Sequence, residues 1–584
     1  MTRSSAYPLA RIYARRSLSA ALLAICAVAQ AQTSSPQNTT YRYEYDVLGN
    51  VTKITNPLQF ITQQSYDVLG RLTSQTDANN QVTQYVYDGQ NRLKKVIDAR
   101  QLSTLYTLDG LGNQLSLSSP DTGIATNTFD AAGNVVTATD AKGQTTRFTY
   151  DVLNRVTSIT YSDAQVTTYT YDQGANAKGR LSQITDPLGS ITLSYDGFGH
   201  VVNETRSLSV NGSMLLAVIT YQYDAAGRLS KLTYPNGRQI SYTRDSMERI
   251  SQIDSTKDDT ALTVLSQVIY EPFGPVQTYL NSTGQAYRRS LDLDGRISSF
   301  TLNKQVQTIS YDAASRIVAI NEANNPARQS SYGYDALDRL SSYLTPQSNQ
   351  SFTYDAVGNR NSKTTGAAST SYSYGSASNR LMEVSGTSVI NDANGSITDN
   401  GSSQFSYDVR ARLTSVTTNV GTTNYRINAY GQRVQKISSS GSTWYHYDQA
   451  GLLISESNGE CDVDYVYLDS IPVAVLPCDK GLHDVHTDHL NTPRVITNSQ
   501  GVEVWRWDSM PFGESAPNEN PGNTGVAHDF TFNQRFAGQY YDQESGLHYN
   551  YYRDYDPSTG RYITSDPIGL RGGPNTYAYV GGIH

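Results

Sequence analysis

Short stretches in which aromatic or β-branched residues alternate with polar ones recur along the chain and end in Tyr-Asp, as in Tyr43-Glu44-Tyr45-Asp46, Tyr85-Val86-Tyr87-Asp88 and Tyr221-Gln222-Tyr223-Asp224. Alternation with period two in Tyr, Thr and Val predicts strands, and it sets both tyrosines of a pair on one face. Asp-x-x-Gly comes next. It is a type I turn pattern, because Asp bonds the backbone two residues on and Gly accepts positive φ. Arg or Asn, then Leu or Val, then Thr opens a second strand, and a second turn such as Thr76-Asp77-Ala78-Asn79-Asn80 closes the unit. The unit is predicted to be a β-hairpin, and no segment shows sustained helical periodicity.

The hairpin is stamped along the chain. Copies begin at Tyr45, Tyr66, Tyr87, Leu108, Phe129, Tyr150 and Tyr171 at a constant spacing of 21 residues, and drifting copies continue to Tyr447. A lone hairpin is marginal in water, so the copies are expected to pair side by side into one antiparallel sheet, which must curl to protect its edges. The expected fold class is all-β: a spiralled antiparallel sheet forming a hollow shell. A propeller is the alternative, since two units make a four-stranded blade of about 42 residues. The longer copies after Asp172 and Asp196 favour the spiral.

Composition follows from the repeat. Of 584 residues 44 are Tyr, against 12 Phe and 3 Trp. Tyrosine must therefore do much of the covering, each ring bringing a hydroxyl that needs a partner. The net charge is −8, and the four arginines of the first 31 residues make the rest more acidic still. No basic block is present, which argues against nucleic acid as a partner. Arg11, Arg15 and Arg16 precede the apolar run Leu18–Ala29, and Ala29-Gln30-Ala31 has a small-x-small form. Residues 1–31 are therefore expected to be a secretory signal peptide cleaved after Ala31, with 32–40 a short linker. No other stretch is long and apolar enough to predict a transmembrane helix. In an exported chain Cys461 and Cys478 are candidates for one disulfide, two free thiols being the other state.

Beyond the repeats, His486-Thr487-Asp488-His489-Leu490-Asn491-Thr492-Pro493-Arg494 is followed by Val504-Trp505-Arg506 and Pro511-Phe512-Gly513-Glu514, then by FNQRFAGQYYDQESGLHYNYYRDYDPSTGRYITSDPIGLRGG over 532–573. These motifs, with the Tyr-Asp repeat, resemble the Rhs/YD-repeat family, which includes bacterial Rhs proteins, wall-associated YD proteins, the toxin-complex C component and teneurins. The resemblance covers roughly residues 41–580. It implies a repeat shell over 41–480 and an Rhs-associated core over 481–580. The core motif positions are His486, Asp488, His489, Pro493, Arg494, Gly538, Tyr540, Asp542, Gly546, Tyr549, Arg553, Tyr555, Asp556, Gly560, Arg561, Pro567, Gly569 and Leu570.

In that family the core resembles an aspartyl autoprotease that releases an enclosed toxin. Such chemistry needs two carboxylates sharing a proton. Asp566 matches the first Asp-Pro motif as a candidate catalytic residue. No acid follows it, so self-cleavage is expected to be lost unless Asp542, Asp554 or Asp556 serves as an unconventional second acid. Residues 581–584 are expected to be a truncated tail without a toxin domain.

His483, His486 and His489 with Asp484 and Asp488 form the densest set of ligand-type residues. Their spacing suits a 3₁₀ turn rather than a strand, and a hydrogen-bonded structural loop is expected, with no metal and no cofactor. Two kinds of partner remain open: an enclosed polypeptide cargo, or a carbohydrate or cell-surface partner on the outer face as in teneurins. The direction of the tyrosine rings separates the two.

Overall fold

The computed structural model describes residues 39–210, 213–523 and 530–579, which lie in one compact unit, Thr39–His584. The expected signal peptide with its Ala31 cleavage site, most of the expected linker, and residues 581–584 lie outside the described residues. Among the described residues there is no α-helix, only two 3₁₀ turns, Pro326–Arg328 and Gly569–Gly572.

Within each sheet every strand pairs antiparallel with the next in sequence. A 33-stranded sheet runs from Arg42–Tyr45 to Thr387–Ser388, a 13-stranded sheet from Ile390–Asn391 to Glu503–Arg506, and four short strands lie between Tyr540–Tyr541 and Arg561–Tyr562. So continuous a meander has no separate blades, which excludes the propeller.

The predicted turn is built as expected. Asp46 Oδ1 accepts the amides of Leu48 and Asn50, Gly49 donates to the Asp46 carbonyl, and Gly49 takes φ 86°. The pairing shifts register at the tyrosine before each Asp, here Tyr45, so the turn is a hairpin closed by a bulge.

A second device ties successive repeats together. Asp151 Oδ2 accepts from Arg155 Nε at 2.6 Å, and the Arg155 guanidinium lies 4.3 Å from the ring centroid of Tyr171, whose hydroxyl donates to the Val156 carbonyl. The same Asp–Arg–Tyr chain joins Asp67, Arg71 and Tyr87, and again Asp335, Arg339 and Tyr354. Each tyrosine hydroxyl is thus satisfied by a strand carbonyl of the preceding hairpin.

Contacts between distant turns show how the meander winds. Arg100 donates to the Ser378 carbonyl 278 residues away, Asn394 to Asp140 at a separation of 254, Arg206 to the Tyr447 carbonyl at 241, Asn303 to Glu503 at 200, and Gln350 to Glu514 at 164. One gyre therefore holds fewer residues as the chain proceeds, and the spiral tightens toward the C-terminus.

Burial follows the taper. Among the described residues before Ala177 the only buried hydrophobic side chain is Val96, whereas the largest core joins strands over 219–309 to strands over 454–495. Cys461 and Cys478 form a disulfide with Cα atoms 5.5 Å apart, across the ends of the hairpin Asp462–Leu468 and Ile471–Pro477. Because that hairpin already closes the loop, Cys461→Ser with Cys478→Ser should lower stability by no more than about 3 kcal/mol, read as a shift in denaturant midpoint at unchanged slope.

Candidate functional site

The strand Val82–Tyr87 alternates in exposure, with Tyr85 and Tyr87 on the less exposed face and Gln84 and Val86 on the exposed one. The C-terminal segment shows which face is inside. It touches Asp121 through Thr576, Asn359 through Asn575, the Asn379 carbonyl through Arg561, Arg433 through Tyr549 and Glu456 through Tyr540. A segment that reaches strands so far apart crosses the inside of the gyre. It does so on the tyrosine face: the Tyr445 ring meets Tyr540 at 5.3 Å, and Tyr465 meets Phe532 at 5.8 Å. Tyrosines at the narrow end are therefore covered by the core segment. Those of the first gyre, such as Tyr85, Tyr106 and Tyr169, remain half-buried along the inner face.

At the centre of the covered region stands Arg433. Its guanidinium is fully buried between the rings of Tyr425, Tyr445, Tyr540 and Tyr549, at 4.2 to 5.4 Å from their centroids, and its Nη1 donates to Asp542 at 2.5 Å. Lys436 lies 3.7 Å from the same carboxylate. Burial alone would lower the Arg433 pKa, but Asp542 outweighs it and keeps the guanidinium charged. Beside them Asp554 is buried with its pKa pushed up to about 7, by desolvation first, with Asp542 adding to the rise and Arg433 opposing it. Glu456 accepts from the hydroxyls of Tyr540 and Tyr465, and burial raises its pKa as well.

The histidine hallmark differs from its expected form. His483 and His486 lie in the buried strand His483–Thr487, and Asp488 opens another repeat-type turn, accepting the amides of Leu490 and Thr492 and Arg494 Nε at 2.7 Å. Three-residue spacing splits the histidines between faces, so they do not converge. His486 bonds Thr497 Oγ1 at 3.0 Å, and burial lowers its pKa to about 4. Pro493 follows in the paired strand opposite Thr487, and Arg494 rests on the Trp507 ring.

The other core positions lie in the same C-terminal segment. Gly538, Gly546, Gly560 and Gly569 all take positive φ in turns, and Tyr555 donates to the Phe512 carbonyl. Asp556 caps its turn through the amide of Ser558, and Arg561 stacks on Tyr577. Arg535 stacks on Trp505, Trp507 and Tyr541.

Asp566 sits before Pro567, in the turn leading to Gly569 and Leu570. Its carboxylate is 3.0 Å from Arg553 and accepts the Ile568 amide. The Arg553 guanidinium lies over Tyr562. Asp566 is therefore committed to a cation and an amide, while Asp542 is committed to Arg433 and Asp556 to its own turn. Asp566→Asn should leave the intact mass of the purified chain unchanged and lower stability by about 1 kcal/mol, read by mass spectrometry and denaturation. A variant-dependent change of mass would assign it a cleavage role.

A separate cavity of about 510 Å³ opens between the Tyr332, Tyr343 and Trp507 rings and the polar groups of Arg328, Glu322 and Asp508. Among the described residues the one cluster with metal-like proximity is Cys461, Cys478 and Asp479, and its two sulfurs are bonded to each other.

Two family profiles match the chain: Teneurin YD-shell over residues 275–570, and RHS Repeat over six segments between residues 30 and 260. Toxin protein Tse5 of Pseudomonas aeruginosa is 45% identical over 95 residues, which are 16% of this chain and 7% of that protein. Double-stranded DNA deaminase toxin A of Burkholderia cenocepacia is 43% identical over 95 residues, 16% of this chain and 6% of the toxin. The chain thus spans less than a tenth of the length of these two relatives. The crystal structure of TcdB2-TccC3 matches with a TM-score of 0.79 at 17% identity, over 94% of this chain and 34% of that one, a likeness of fold. With the profile, the repeat and the spiral sheet in agreement, the chain belongs to the teneurin YD-shell family and carries RHS repeats.

Proposed function

We propose that this protein is an exported carrier shell that holds a polypeptide cargo against its inner face. The observation that carries this reading is the tyrosine face: one surface, covered by the chain's own C-terminal segment at the narrow end and, among the described residues, left uncovered along the first gyre. Its rings are rigid and amphipathic, and the hydroxyls of Tyr87, Tyr150 and Tyr171, each just before a turn, are already bonded to backbone. Such a surface offers contact to an unfolded chain without a deep apolar trap. The names of the toxin relatives and the toxin-complex neighbour support the same class of role. A natively unstructured peptide fused after His584 should resist protease until the shell is denatured. Digestion at the rate of the free peptide would sink the reading.

Recognition at a surface is a second reading, favoured by the cavity beside Tyr332 and Tyr343, where two adjoining tilted rings and charged groups suit a carbohydrate. Glycan-array binding that Tyr343→Ala abolishes would support it.

A further inference from the structure

The two ends of the strands meet different fates. Turns at one end of the first gyre dock on the second gyre: Arg100 on Ser378, Lys142 on Asp392, Asp186 on Ala429 and Asn236 on Asp464. These docking turns are polar. At the other end lie the Tyr-Asp turns from Asp46 to Asp292, whose tips are exposed throughout. They form the free rim of the spiral.

That rim is apolar. Its tips include Val47, Val68, Val152, Phe198, Phe273 and Leu293, with Val152 98% and Phe273 107% exposed. Charge enters these tips only at Lys178, Glu248 and Asp294. Where the Tyr-Asp edge passes under the first gyre, the second tip position, which Phe198 and Phe273 hold on the rim, is covered, Val357 being 9% exposed. The large apolar tips are thus left bare on a turn edge that none of the described residues covers.

We propose that this rim is a self-association surface on which a second copy of the chain seats rim to rim. Fully exposed Val, Leu and Phe tips at this density offer on the order of 1,000 Å² per copy, above the roughly 800 Å² per partner of a standard stable interface. Tips recur every second strand, a pitch of about 10 Å. Both copies carry the same pitch, so an isologous pairing is self-complementary. Directly behind the tips runs the row of Asp–Arg pairs, such as Asp67–Arg71 and Asp151–Arg155. Seated against another copy, that row stays at a wet margin. Sunk into a lipid surface it would be desolvated at high cost, which favours protein over membrane as the occupant.

Analytical ultracentrifugation of the purified full chain at micromolar concentration should give twice the chain mass. Val68→Asp, Val152→Asp, Phe198→Asp and Phe273→Asp together should weaken the dimer by more than roughly a hundredfold, with circular dichroism unchanged because the tips face solvent. If that variant melts early, Phe273→Asp alone carries the test and should weaken the dimer by about tenfold. A monomer throughout this range overturns the proposal, as does a dimer indifferent to the tip substitutions. So does a monomer whose tips bind phosphatidylcholine vesicles.

Discussion

Alanine in place of Arg433 should lower the unfolding free energy by about 3–5 kcal/mol, the cost of leaving one partner of a buried ion pair behind. Asp542 would be stranded in a fully buried site with only Lys436, at 3.7 Å, to compensate it. Four tyrosine rings would lose the guanidinium they enclose, adding a cavity penalty. The measurement is the denaturant midpoint of the variant against wild type. The discriminating control is Arg433→Ala with Asp542→Ala, which should recover part of the loss because no charge is left unpaired. Equal loss in the single and double variants would show that packing, rather than the ion pair, dominates.

The second large effect is on pH dependence. Asp554 has a folded pKa of about 7 against an ordinary value of 3.8, so the folded chain binds a proton that the unfolded chain has lost. The stability from neutral Asp554 is fully present below about pH 4 and is lost as pH rises through 7, a swing on the order of 4 kcal/mol. Buried His446 and His486, each lowered to about 4, act in the opposite direction: their contribution is present above pH 6.5 and lost as pH falls toward 4. Asp448 and Asp484, raised to about 6 by burial, act with Asp554, and His548, lowered to about 3 by burial, acts with the other histidines. Three groups therefore oppose three between about pH 4 and 6, and Asp554 alone leaves a decline between about pH 6.5 and 7.5. Asp554→Asn should abolish that decline and make the protein more stable than wild type at pH 8. Chemical denaturation at half-unit pH steps reads both, and parallel profiles for the two proteins would refute the assignment.

Legibility in the sequence followed the range of the interactions. The hairpin and its turn were readable because Asp46 bonds amides two and four residues on, so all the chemistry lies within one short window. The Asp–Arg–Tyr chain was missed, although its signal was present: Arg recurs four residues after Asp, and the next Tyr follows at a fixed interval. The Arg433 site was not readable, because its carboxylate lies 109 residues away and no repeat spans that distance. Local spacing misled for His483 and His486, where a turn was expected and a strand formed. Strand propensity at Val485 and pairing with 493–497 decided the matter. The tightening of the gyres leaves no mark in a repeat of constant length, since it arises from how turns dock.

That tightening sets a schedule for synthesis. Arg100 emerges from the ribosome 278 residues before the carbonyl it docks on, which at about 5–20 residues per second is a wait of roughly 15–55 s. The 164 residues between Gln350 and Glu514 take little more than half that time. The wide gyre therefore stands open longest while the narrow end closes quickly and last. A cargo that must enter a growing shell has its widest opening early in translation, and the interval shortens with every turn added.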